Sequence, residues 1–218
     1  MRPRIALIHA TPVAIDPIIA AFRSGWPQAE PVNILDDSLT PDRAKSAALT
    51  PAIFERFRVL TRYARDAGAA GILFTCSAFG EAIDRAASET DVPVLKPNEA
   101  MFEQALARGA RIGMVATFAP AVEGMEGEFE QAARARNPRP TLETVVADGA
   151  MDALRSGDED THNRLVAEAA AGLAHCDAIM LAHFSTSRAV GAARSRVAKT
   201  VLTSPDAAVA RLRSMVKA

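Results

Sequence analysis

The sequence predicts an α/β fold of mainly parallel sheets flanked by helices, and three observations carry that prediction. Short apolar runs alternate with longer amphipathic stretches along all 218 residues. Runs such as Gly71-Ile72-Leu73-Phe74 are apolar throughout rather than alternating, as strands covered on both faces require. Three of the runs also recur at one constant spacing, so the chain reads as two similar halves.

Arg4 to Ala10 (RIALIHA) is the first predicted strand, and Ile15 to Ser24 a helix entered after Pro12 and closed by Gly25 and Pro27. Val32 to Leu35 is a shorter strand, and the polar stretch from Asp36 to Asp42 is expected to be a loop over the sheet edge. Pro51 to Ala67 begins with proline where a helix tolerates it and stops at Gly68. The Gly71 to Phe74 strand follows, then a short helix over Glu81 to Ala87, the strand Pro93-Val94-Leu95, and a helix from Asn98 to Arg108 capped by the asparagine. In the second half Arg111 to Thr117 (RIGMVAT), Thr141 to Ala147, Ala178 to Ala182 and Thr200 to Leu202 are strands. Ala121 to Ala135, Asp158 to Ala174, Ser187 to Val197 and Asp206 to Val216 are the helices between and after them. That gives about eight strands, joined by crossovers of the kind parallel sheets need.

A shift of 107 residues lays Arg4–Ile8 on Arg111–Val115, Gly71–Phe74 on Ala178–Leu181 and Pro93–Leu95 on Thr200–Leu202. Residues 1–97 with 206–218 are therefore expected to form one lobe, and residues 98–205 the other. The same shift carries Cys76 onto His183. Two lobes facing each other would place these side chains on opposite walls of one cleft.

Composition narrows the function classes. The 25 basic and 26 acidic residues nearly cancel and no dense basic run occurs, so no nucleic-acid partner is expected. The two cysteines make a poor disulfide framework and fit a reducing compartment. Arg2 and Arg4 precede Ile5–Ile8, but His9 and Pro12 interrupt that run too early for a signal peptide, and no segment is long enough to span a membrane. A cytoplasmic location is expected. His9-Ala10-Thr11-Pro12 stands where a nucleotide-binding fold would have a glycine-rich loop, which disfavours phosphoryl and hydride chemistry.

Cys76 ends an apolar strand and precedes a helix N-terminus, the edge of a parallel sheet where ligands bind and where amides favour an anion or a thiolate. Cys176 opens its strand instead, at the opposite edge, and is read as structural. His162 and His175 read as helix-surface or helix-end residues. A zinc site built from Cys76, His9 and His183 lacks any short ligand spacing, so no metal is expected.

With the thiol after the third strand, TCSAFG (75–80), RIGMVAT (111–117) and AIMLAHFS (178–185) resemble the aspartate/glutamate/hydantoin racemase superfamily over nearly the whole chain. The resemblance implies two α/β lobes related by pseudo-twofold symmetry, with a small carboxylate-bearing substrate in the cleft. It implies no cofactor and one catalytic cysteine from each lobe. His183 stands where the second cysteine should be. The family places a polar group at the end of the first strand, so His9 and Thr11 are expected to contact substrate.

Inverting a stereocentre by deprotonation needs a base on one face and an acid on the other, together with donors for the charge that grows on the carboxylate. Thr75, Ser77, Thr117, Ser185 and Thr186 lie near strand ends and are the candidate donors, although each residue type also suits a helix cap or turn. An imidazole at position 183 suits an acid or base opposite Cys76, or an acceptor of the Cys76 proton that leaves a nucleophilic thiolate. The expected function is a cofactor-independent, racemase-like isomerase acting at the carbon alpha to a carboxylate. The alternatives are a one-thiol lyase of the arylmalonate decarboxylase type and a non-catalytic protein that binds small carboxylates. Homo-oligomerisation is left open.

Overall fold

The computed structural model describes residues 2–46 and 48–217; the outermost lobe bounds, Met1 and Ala218, lie outside them. The chain separates into two compact units, one running to Pro97 and resuming at Ala208, the other spanning Asn98–Ala207.

The first unit contains β1 (Arg4–His9), α1 (Ile15–Gly25), β2 (Glu30–Leu35), α2 (Leu39–Ala44), α3 (Pro51–Asp66), β3 (Gly71–Phe74), α4 (Gly80–Ala87) and β4 (Val94–Leu95). Its four strands are all parallel, in the order β2-β1-β3-β4. Ile5, Leu7 and Leu73 are as fully buried as their neighbours Ala6, Ile8 and Ile72, so both faces of the central strands are covered. On one face, Phe57 of α3 stacks on Phe74 of β3 at 4.9 Å and lies 5.0 Å from Phe79, with Ile53, Ala82, Ile83 and Ala86 completing the layer. Burying such a phenylalanine contributes about 2–3 kcal/mol.

Local chemistry sets the ends of α3. Thr50 accepts a hydrogen bond from the Ile53 amide and Pro51 occupies the first turn. At the other end Gly68 takes φ 79°, which lets the Gly68 amide donate to Arg65 O and the Ala69 amide to Ala64 O. A left-handed residue there satisfies carbonyls that the helix would otherwise leave open.

The second unit contains α5 (Glu99–Leu106), β5 (Arg111–Ala116), α6 (Val122–Ala133), β6 (Thr141–Val146), α7 (Ala150–Arg155), α8 (Glu159–Gly172), β7 (Ala178–Leu181), α9 (Val190–Arg196) and β8 (Thr200–Thr203). α10 (Ser204–Lys217) opens in this unit, and its later residues belong to the first. The sheet order is β6-β5-β7-β8, again all parallel. Ile5 pairs with Gly71 and Ile72 with Val94; 107 residues later Ile112 pairs with Ala178 and Ile179 with Val201. The constant spacing in the sequence is thus the same strand register built twice.

Three local expectations need correction. Part of the predicted Asp36–Asp42 loop belongs to helix α2. Nothing in its polar sequence has a helical period; Arg56 of α3 joins the Asp36 and Asp42 carboxylates, and the Thr40 hydroxyl donates to Ala10 O at 2.6 Å. Asn98 does not cap α5, because its Oδ1 accepts from the Ser204 hydroxyl at 2.8 Å. His162 is fully buried in α8 rather than on a helix surface, with Nδ1 3.3 Å from Asn163 Oδ1.

Candidate active site

In the first unit β3 lies between β1 and β4. The Thr75 amide donates to Ile8 O at 3.0 Å, carrying the ladder one residue past the strand. Cys76 follows in extended backbone, immediately before a 3-10 turn at Ser77–Phe79 that leads into α4. The thiol therefore stands at the carboxyl edge of the sheet. The Ala78 amide donates to it and favours the thiolate, but burial pushes the Cys76 pKa up and outweighs that single bond. At neutral pH the group is a protonated thiol. The helix-end amide thus favours the thiolate, as its position suggests, but burial is the larger effect.

His9, at the end of β1, is fully buried. Its Nδ1 lies 2.8 Å from Thr75 Oγ1 and its Nε2 2.9 Å from Asn33 Oδ1. A neutral ring satisfies both, with Nε2–H donating to Asn33 and Nδ1 accepting from the Thr75 hydroxyl. Burial lowers the His9 pKa, against a smaller opposing effect of the Asn33 bond. His9 and Thr75 thus bind each other beside Cys76. Thr11 and Ser77 are half-buried, and Thr11 makes no cap to the turn that follows it. The sequence reading missed Asn33, although a lone amide within an apolar strand was its available signal.

In the second unit β7 lies between β5 and β8, and the Ala182 amide extends the ladder to Val115 O at 2.9 Å. His183 then takes φ 69°, the one left-handed non-glycine residue among those described. Such a backbone costs an L-residue about 1–2 kcal/mol, and strain of this kind gathers at functional sites. His183 Nε2 is buried without a hydrogen-bond partner, and burial lowers the ring's pKa to about 4. The imidazole is neutral at pH 7, with a polar atom left unsatisfied.

Around it, Ser185 and Thr186 are buried in the 3-10 turn Ser185–Ala189, and Thr186 Oγ1 lies 3.2 Å from Thr117 Oγ1 beyond the end of β5. The structure thus groups Thr75 with His9 in one unit, and Thr117 with Thr186 in the other. Cys76 and His183 each follow the third strand of their sheets by two residues, in units of the same strand order. Among the described residues, the metal-ligating side chains that converge lie elsewhere: Glu143, His175 and Cys176, toward the start of β6 and β7.

The architecture has solved counterparts. An aspartate racemase from Picrophilus torridus superposes with a TM-score of 0.76 at 15% identity, over 99% of this chain and 94% of that one. The allantoin racemase from Klebsiella pneumoniae gives 0.70 at 20% identity, over 99% and 88%. A liganded arylmalonate decarboxylase mutant, in which one glycine is replaced by cysteine and one cysteine by serine, gives 0.69 at 15% identity, over 98% and 92%. At these identities the likeness establishes the fold. No curated protein sequence matches significantly. The family model of the Asp/Glu/hydantoin racemases matches residues 9–173, about three-quarters of the sequence, and the chain belongs to that family.

Proposed function

We propose that this protein is a cofactor-independent isomerase that moves a proton at the carbon alpha to a carboxylate, with Cys76 and His183 acting from opposite faces of the substrate. The observation that carries the reading is the equivalent placement of these two proton-transferring groups, each two residues beyond the third strand of its sheet. Family membership supports it.

In one direction the neutral His183 imidazole accepts the α-proton and the Cys76 thiol donates one to the other face, leaving imidazolium and thiolate. The reverse turnover consumes that pair. Thr11, Ser77, Thr117, Ser185 and Thr186, with amides beyond the strand ends, are the proposed donors to the substrate carboxylate, and donors of this kind stabilise the enediolate charge without a metal. His9 and Thr75, which hydrogen-bond each other, hold the backbone next to Cys76. The substrate is a small carboxylate-bearing molecule, and two unpaired cysteines fit a cytoplasmic setting.

One observation favours a second reading. A protonated thiol is a ready donor, whereas an imidazole with a pKa of about 4 is a weak base. A lyase that loses carbon dioxide and protonates the resulting carbanion from Cys76 needs only the donor. Proton NMR in deuterated water separates the possibilities, using chiral amino acids, hydantoins and substituted malonates as the panel. Loss of an α-proton signal with inversion, abolished in Cys76→Ala, supports the isomerase. Decarboxylation or exchange without inversion supports the lyase. Chemical-shift changes without turnover would leave a carboxylate-binding protein and overturn both enzyme readings.

A further inference from the structure

From the convergence of three donors of different chemistry, we propose that Glu143, His175 and Cys176 form a binding site for a thiophilic divalent cation of the zinc type, separate from the Cys76 and His183 positions. One carboxylate oxygen, one ring nitrogen and the Cys176 sulfur all lie within 4.8 Å of one another. His175 Nε2 is 2.8 Å from Glu143 Oε2. Thiolate, imidazole and carboxylate together are a donor set that suits zinc.

The backbone makes room for this arrangement. Gly113 of β5 is the register partner of Glu143 in β6. A Cβ at Gly113 would stand 3.3 Å from Cys176 Sγ and 3.1 Å from Leu173 Cβ, so the missing side chain is what lets the sulfur approach the sheet beside Glu143. Asp177, next in sequence, is not available as a fourth ligand, since its Oδ2 accepts from the Ala110 and Arg111 amides at 3.0 and 2.9 Å. Water would complete the coordination.

Tetrahedral zinc with bonds of about 2.0–2.3 Å needs donor separations of about 3.3–3.6 Å. Glu143 and His175 must therefore part slightly from each other and close on the sulfur. Both of those side chains are exposed and turn at little cost, whereas Cys176 is buried and provides the fixed ligand. On binding, the thiol loses its proton to solvent, the sulfur bonds the cation, and the imidazole presents an unprotonated nitrogen. No electron transfer is involved.

The test is titration of the metal-free full-length protein with Zn²⁺ against a chromophoric chelator, with Cd²⁺ as a second probe whose thiolate charge-transfer band reports sulfur ligation. The expected result is one tight equivalent, a cadmium band that survives in Cys76→Ser, and affinity weakened about tenfold or more in His175→Ala and Glu143→Gln. Because both of these positions are exposed, the variants keep the fold, which circular dichroism verifies. Absence of a cadmium band, or a band lost in Cys76→Ser and retained in Cys176→Ser, overturns the proposal. Equal affinity in wild type, His175→Ala and Glu143→Gln does so as well.

Discussion

His183→Asn isolates the cost of keeping the imidazole neutral. Asparagine tolerates the left-handed backbone at φ 69°, so the substitution removes the titrating ring without adding backbone strain. The folded pKa of about 4 lies below the ordinary 6.5 because burial disfavours the cation. Between those values the unfolded chain binds a proton that the folded chain refuses, so stability is complete above the upper pKa and falls as the pH drops. Linkage gives a loss of about 2 kcal/mol from this residue between about pH 7 and about pH 5. His9 and His162 also have lowered pKa values and act in the same direction, but they are present in both proteins and cancel in the comparison. Urea unfolding at both pH values should show wild type losing about 2 kcal/mol more than His183→Asn. Equal losses in the two proteins would refute the claim that the folded protein holds the half-buried His183 ring neutral.

The remaining predictions concern the first unit. Phe57→Ala should destabilise it by about 3–5 kcal/mol in urea unfolding, because the stacked Phe74 and the tilted Phe79 both lose the ring they pack against. His9→Phe keeps a buried ring but removes the Thr75–imidazole bond, leaving the hydroxyl only Ile8 O at 3.4 Å, at a cost of about 0.5–1.5 kcal/mol; a change under a few tenths would contradict the positioning role. In a Cys176→Ser background, iodoacetamide should modify Cys76 more slowly at neutral pH than it modifies a free cysteine peptide, as a burial-raised thiol requires. Faster modification would mean that the amide outweighs burial.

The parallel sheets were legible because buried parallel strands must be apolar on both faces, as Gly71–Phe74 and Ala178–Leu181 are. The duplicated register was legible for a related reason: three strands of each sheet keep one spacing, so the repeat survives in strand positions where side chains have diverged. Helix α2 was hidden because the groups that hold it, Arg56 and Ala10 O, are remote in sequence from its polar residues. Asn98 looked like a cap, yet Ser204 claims its side chain from 106 residues away. The Cys76 position followed from its strand, but its protonation did not, since burial depends on the packed structure. The His175 and Glu143 pairing joins residues 32 positions apart and leaves no short motif.

The most direct test of the paired acid and base is α-proton exchange in deuterated water, measured separately on each enantiomer of a turned-over substrate with Cys76→Ala and His183→Asn. If each group serves one face, Cys76→Ala keeps the exchange of the one enantiomer that His183 deprotonates and loses that of the other, whereas His183→Asn, left with a protonated thiol, loses the exchange of the enantiomer that Cys76→Ala keeps. If His183→Asn exchanges both enantiomers at wild-type rates, or Cys76→Ala does, that residue is not one of the two catalytic groups and the account fails.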